Sequence, residues 1–178
     1  AGDEMPKGGV GEICFSGLQV FLGYLGDPDN TAKTISKDGV CYTGDMGFYD
    51  EKGLHFSGRA KLVIKPKGYQ VFPEDVENHI SMKLKGKLSM VACVGVEHEV
   101  FSEAIMVFAE TLEGQSVTPD DVINACGDIS SYSRPSHVVV MKTGEFPLNR
   151  VAKTDYMMLK TRAKEIVEDL RKQGKWDK

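Results

Sequence analysis

The stretch Lys61-Leu-Val-Ile-Lys-Pro-Lys-Gly-Tyr-Gln-Val71, running on through Phe72 into Pro73-Glu-Asp75, decides how the chain is read. Two short apolar runs, 62–64 and 69–72, flank Lys65-Pro-Lys-Gly68. Proline and glycine there supply the fixed and the positive φ of a tight turn, which predicts a hairpin. Pro73 at a first helical position, with Glu74 and Asp75 in the first turn, predicts that a helix follows directly. Val76, Ile80 and Leu84 recur on one face of it, and Gly86 is placed to end it.

Further along, residues 90–96 and 104–109 are apolar runs of strand length. Thr118-Pro-Asp-Asp121 supplies the N-cap, first-position proline and third-position acid of a second helix, which carries Val122, Ile123 and Cys126. Residues 137–141 form a β-branched strand candidate, and Leu159, Ala163, Ile166 and Leu170 make the apolar stripe of a final helix whose other face is charged. The order hairpin, helix, strand, strand, helix, strand, helix predicts a small α+β domain, with a β-hairpin and a mixed three-stranded sheet flanked by helices.

Upstream, to about Ser57, the texture changes to short strands broken by turns, at 12–15 and 18–22, followed by the polar segment Gly26-Asp-Pro-Asp-Asn-Thr31 and by Gly39-Val-Cys-Tyr-Thr-Gly-Asp45. Gly53 supplies the positive φ of a hairpin between 47–49 and 54–56. This is sheet without an obvious core of its own.

Composition narrows the function classes. The 178 residues are 41% hydrophobic and 27% charged, with a net charge of -4, as in an ordinary globular protein. Scattered Lys and Arg give no footprint for nucleic acid or an anionic membrane. The four cysteines, Cys14, Cys41, Cys93 and Cys126, are far apart and read as buried reduced thiols, which points to a cytoplasmic protein. The dispersed His55, His79, His98 and His137 predict no metal site. No apolar run reaches the ~18 residues of a membrane span, and no signal-peptide pattern opens the chain. Ala-Gly-Asp-Glu-Met-Pro-Lys-Gly-Gly reads instead as a chain entered in mid-loop.

Three short polar segments could carry chemistry, each with a plain alternative. Tyr42-Thr-Gly-Asp45 reads as a polar turn whose aspartate caps nearby amides, or as a carboxylate held to accept two hydrogen bonds from a vicinal diol such as that of ribose. Arg59, in Ser57-Gly-Arg-Ala-Lys61, is either solvated or placed for phosphate and ribose oxygens. Lys153 lies in Phe146-Pro-Leu-Asn-Arg-Val-Ala-Lys-Thr-Asp155, just before the last helix. Capping by Thr154 or Asp155 would make it a placed charge, able to neutralise a developing anion.

Taken together, Gly11-Glu-Ile13, Gly23-Tyr-Leu-Gly-Asp-Pro-Asp-Asn-Thr-Ala32, Thr43-Gly-Asp45, Gly58-Arg59, Lys67-Gly-Tyr-Gln70, Glu74-Asp-Val-Glu77 and the Lys153 loop occur in an order and spacing that resembles the C-terminal region of the adenylate-forming (AMP-binding) enzymes. That superfamily includes acyl- and aryl-CoA synthetases, peptide-synthetase adenylation domains and luciferases. The resemblance implies that residues 1–58 are the last β-rich part of a large N-terminal domain, 59–61 a hinge, and 62–178 the mobile C-terminal domain. It implies that Asp45 and Arg59 hold the nucleotide ribose, that Lys61 is the hinge residue where many relatives have Asp, and that Lys153 bridges acyl carboxylate and nucleotide during adenylation. Ala152 stands where the family usually has glycine, so its backbone angles bear on the placement of Lys153.

The implied reaction has two steps. A carboxylate attacks the α-phosphate of Mg-ATP to give acyl-adenylate and pyrophosphate; the small domain then rotates, and the thiol of CoA attacks the acyl carbon. In the second pose the turn at Gly68 lines the pantetheine tunnel and Lys65 approaches the site, while Lys67 reads as solvated. The family's phosphate-binding loop and its aromatic-Gly-x-Thr-Glu segment are absent, so magnesium and most of the acid pocket fall outside this chain, and the chain alone is expected to be inactive. Two other readings stay open: a non-catalytic module that binds a nucleotide or an acyl-carrier protein, and an adenylating enzyme that loads a carrier protein. The identity of the acid and the oligomeric state are open as well.

Overall fold

The computed structural model describes residues 3–177. The chain divides into two compact units, Ala1–Lys61 and Leu62–Lys178, and each is described by itself.

The first unit is an antiparallel sheet in the order β1-β2-β3, built from β1 (Gly11–Ser16), β2 (Val40–Asp50) and β3 (Gly53–Arg59). The expected hairpin joins β2 to β3, closing at the Asp50 and Gly53 pair with Gly53 at φ 119°. Two expectations fail here. Residues 18–22 form no strand: the Val20 N–H donates to the Gly17 carbonyl at 3.1 Å, closing a turn that ends β1, and Leu18 and Leu22 are left fully exposed. The polar segment after them instead holds a short helix, α1 (Pro28–Thr34), capped by Asp27, whose carboxylate accepts the Asn30 N–H at 3.1 Å. Cys14 is exposed rather than buried, while Cys41, Cys93 and Cys126 are buried and free.

The second unit follows the predicted order. After α2 (Pro73–Lys83), β4 (Leu88–His98) pairs antiparallel with β5 (Ser102–Thr111); β6 (His137–Met141) joins β5 in parallel after α3 (Pro119–Ala125). The sheet is therefore mixed, with β5 central. Helix α3 starts on a full capping box between Thr118 and Asp121.

Two-residue alternation sends side chains of β4 and β5 to opposite faces. Cys93, Ile105 and Val107 pack with Val76 and Ile80 of α2 and Val122 of α3 on one side. Ala92, Val94, Met106 and Phe108 pack with Leu159, Ala163 and Val167 of α4 (Tyr156–Lys172) on the other. The buried stripe of α4 runs through Val167; the expected Ile166 and Leu170 are half-buried at its flanks. Each large apolar side chain buried this way contributes about 1.5–3 kcal/mol.

The predicted hairpin at 62–72 contracts to one antiparallel bridge, Ile64 to Val71, closed by two 2.9 Å backbone bonds. Between them, residues Pro66–Gly68 form a 3-10 turn. Proline has no N–H to donate and Lys67 takes a left-handed φ of 51°, so ladder pairing cannot continue through this segment.

Candidate functional site

In the first unit the local feature is a bulge, where the sequence pointed to a turn. Cys14 pairs with Tyr42 and Glu12 with Met46, so Ile13 alone faces Thr43, Gly44 and Asp45 within a continuous β2. Gly44 takes φ 73°, a left-handed angle that side-chain-bearing residues reach only at a cost. The bulge is pinned on both sides. The Thr43 hydroxyl donates to the Ile13 carbonyl at 2.7 Å and accepts the Asp45 N–H at 3.0 Å, while the Glu12 carboxylate accepts the Gly44 N–H at 2.8 Å.

The effect is to fix the backbone of Asp45 directly opposite Arg59 of β3. Arg59 Nε lies 2.8 Å from Asp45 Oδ1, as an ion pair. That oxygen is itself buried and accepts no aligned hydrogen bond. Beside the bulge an open cleft of about 710 Å³ is lined by Phe21, Tyr24, Thr43, Gly44, Arg59 and Lys61. Asp45 itself does not line the cleft; the Arg59 guanidinium beside the Phe21 and Tyr24 rings suits a nucleotide's oxygens and base. Lys61 is exposed within a 3-10 turn, Ala60–Leu62.

In the second unit, Lys65 precedes and Gly68 ends the Pro66–Gly68 turn, which is held against the start of β5. The Lys65 N–H donates to Glu103 Oε2 at 2.6 Å and the Lys67 N–H to the Phe101 carbonyl at 2.7 Å. Lys67, read from sequence as solvated, does keep an exposed side chain, and its ammonium stands 4.7 Å over the Phe101 ring. Gly68 has φ 85°, and a Cβ there would meet nothing within 4 Å. The glycine therefore serves its backbone angle and leaves an open face.

Next to the turn lies a cavity of about 280 Å³ lined by Lys67, Tyr69, Phe101, Tyr132 and Arg134. Tyr69 stacks on Tyr132 with centroids 4.4 Å apart. Arg134 is braced by the carbonyls of Ile129 and Gly127 at 3.0 and 2.7 Å. Sequence reasoning missed this cluster because its members come from three separated segments; the one available signal was an aromatic and an arginine together in Tyr132-Ser-Arg134 before the β6 strand.

Lys153 occupies a different, closed loop. Leu148 bridges Thr154, and the Asn149 N–H donates to the Lys153 carbonyl at 2.8 Å. The Asn149 side-chain oxygen accepts the N–H groups of Val151 and Lys153 at 3.0 and 3.1 Å. Ala152 takes φ 56°, so alanine does adopt the left-handed angle that glycine would take without strain. Asp155 caps α4 by accepting the Met158 N–H at 3.0 Å. The stem of the loop is anchored through the Phe146 N–H to Glu110 Oε2 at 2.8 Å, near the end of β5. The Gly68 turn and the Lys153 loop are thus anchored at opposite ends of one strand. Between Glu103 and Glu110 the strand spans about 24 Å at ~3.4 Å per residue.

Among the described residues no three His, Cys, Asp or Glu side chains gather as a metal site requires. Among the described residues no helix is long and apolar enough to cross a membrane.

No protein-family model matches the chain. It is 40% identical over 126 residues to 4-coumarate–CoA ligase 4 of Arabidopsis thaliana, an alignment covering 68% of this chain and 21% of that one. To 4-coumarate–CoA ligase 1 of Solanum tuberosum it is 35% identical over 148 residues, covering 80% and 26%. Among solved structures, ATP-bound MatB from Rhodopseudomonas palustris superposes with a TM-score of 0.81 at 28% identity, over 93% of this chain and 32% of that one. The chain spans about a fifth to a third of the length of these relatives. In sequence and in fold it belongs to the adenylate-forming enzymes of the acyl-CoA ligase type, whose C-terminal region it matches.

Proposed function

We propose that the chain is the C-terminal region of an AMP-forming ligase that activates a carboxylic acid with ATP and passes the acyl group to CoA. The observation that carries this reading is the anchoring of the Gly68 turn and the Lys153 loop at opposite ends of β5. A reacting centre touched by one loop is then out of reach of the other, and a two-step reaction that presents each loop in turn needs that separation. The names of the relatives, CoA ligases and an ATP-bound enzyme, agree with both steps.

In the first step Asp45 accepts from the ribose hydroxyls and Arg59 donates to the nucleotide. A carboxylate oxygen of the acid attacks the α-phosphorus and pyrophosphate leaves. The Lys153 ammonium, held by the Asn149-centred loop, spans the acyl carboxylate and the nucleotide and offsets the charge that develops between them. The described residues offer no ligand cluster for magnesium, so no step here is assigned to it.

In the second step the small domain turns about Lys61, and the thiol of CoA attacks the acyl carbon with AMP as leaving group. Gly68, with no side chain on its open face, and Lys65 then border the pantetheine arm. The adjoining cavity, with stacked Tyr69 and Tyr132 and the braced Arg134, offers rings for a base and a guanidinium for a phosphate.

The test is acid-dependent exchange of labelled pyrophosphate into ATP across a panel of aromatic and aliphatic acids, run on the longer enzyme that contains this chain and on the 178-residue chain. Exchange by the longer enzyme with at least one acid, and none by the chain, is expected. Exchange by the chain alone overturns its incompleteness, and failure of every acid with the longer enzyme overturns the ligase reading.

A further inference from the structure

Strand β4 lies at the edge of its sheet, so part of its backbone has no strand partner. One such group, the Cys93 N–H, donates to Glu77 Oε1 of α2 at 2.7 Å. Helix α2 covers one face of the sheet and α4 the other. At the edge between them the Tyr156 hydroxyl, from the first turn of α4, reaches the same carboxylate, at 3.1 Å from Oε1 and 3.3 Å from Oε2.

Glu77 is half-buried and takes part in no salt bridge among the described residues. The groups that face it are Glu74 on its own helix, Cys93 on β4 and Tyr156 on α4. Burial pushes its carboxyl up to about 7, against which the bonds from Cys93 and Tyr156 favour the charged form. Burial and the neighbouring carboxylate raise the Tyr156 hydroxyl as well, so it stays protonated and donates. A carboxylate with no cation beside it is costly at this depth. Its return is a three-way bond that ties α2, β4 and α4 at one point.

That point sits between the two functional loops. Tyr156 follows Lys153 by three positions and directly follows the α4 cap Asp155, while α2 begins five positions after Gly68. We propose that Glu77 and Tyr156 are positioning residues for Lys153: their hydrogen bond holds the first turn of α4, and with it the 149–153 loop, to the helix that follows the Gly68 turn. The two loops then move as parts of one frame when the domain turns. The proposal rests on the role assigned to Lys153 above only for its catalytic consequence, and its structural half is tested separately.

The test is amide hydrogen exchange in the 178-residue chain, corrected for intrinsic rates. Tyr156→Phe is expected to lower protection of the Val151 and Lys153 amides about threefold to tenfold, the range of one net hydrogen bond, with the β5 amides unchanged. It also raises the midpoint at which the Glu77 carboxyl carbon titrates, since a bond to the charged form is lost. Glu77→Gln keeps an oxygen that can accept from both Cys93 and Tyr156, and is expected to keep the loop protected. Unchanged loop protection in Tyr156→Phe, or an equal loss in β5, overturns the proposal. In the longer enzyme, Tyr156→Phe should slow pyrophosphate exchange and spare thioester formation from supplied acyl-adenylate. If Lys153→Ala leaves exchange intact, the role of Lys153 falls, while the exchange data still decide whether the loop is held.

Discussion

The two units of the chain each hold a three-stranded sheet, all antiparallel in the first and mixed in the second, and they differ most in what lies behind it. In Ala1–Lys61 the central strand β2 is paired on both sides, yet among the described residues Cys41 is the sheet's buried apolar side chain, and Leu18, Leu22 and Leu25 are fully exposed. In Leu62–Lys178 both faces of the sheet are covered, and Ile80, Phe108, Met106 and Leu159 are almost wholly removed from water. Backbone pairing gives register and shape, and most of the stability comes from buried side chains. So the first unit fixes Asp45 and Arg59 in register with little buried apolar surface, whereas the second carries its two loops on a full core.

The comparison breaks most readily through that core. Ile80→Ala, which empties a fully buried position on α2, is expected to destabilise the second unit by about 2–5 kcal/mol. Denaturant unfolding should show this loss, with the exchange of β2 amides unmoved. A similar loss of β2 protection would mean that the first unit borrows its stability from the second.

A smaller effect, confined to the second unit, comes from Glu77. Its carboxyl is raised from 4.5 to about 7 by burial, so the fold favours the neutral form. The stabilisation is full below about pH 4.5 and is lost as pH rises through about 7; it amounts to something on the order of 3 kcal/mol. Glu77→Gln should flatten that part of the stability profile. A wild-type profile without a fall in this window would contradict the burial argument.

The smallest effect concerns Ala152, whose φ of 56° costs an alanine about 1 kcal/mol. Ala152→Gly relieves the strain but frees the unfolded chain, so a net gain under about 0.5 kcal/mol is expected in the denaturation midpoint. A clear destabilisation would show that the alanine side chain has a packing role in the loop.

Much of the second unit was legible in the sequence because its signals are local. The Thr118 and Asp121 capping box, the β-branched run of β6 and the period of α4 each lie within a few residues. What was not legible depended on partners elsewhere. The Thr43-Gly44-Asp45 bulge read as a turn because its geometry is set by the register against β1, some thirty positions earlier. The 62–72 hairpin was overestimated because Lys67 takes a left-handed angle while its N–H bonds to Phe101, outside the segment. The Glu77 and Tyr156 bond spans 79 positions and leaves no local trace. Helix α1 is different: its Asp27 cap and Pro28 start were present in the sequence, and the segment was too polar to show the period of a buried helix.

The most direct test compares the two half-reactions of Lys153→Ala in the longer enzyme proposed above: acid-dependent pyrophosphate exchange, and thioester formation from supplied acyl-adenylate and CoA. Exchange is expected to fall by a factor of about 100 or more while thioester formation stays within a few-fold of wild type. Equal loss of both half-reactions, or exchange that survives, would contradict the role of Lys153.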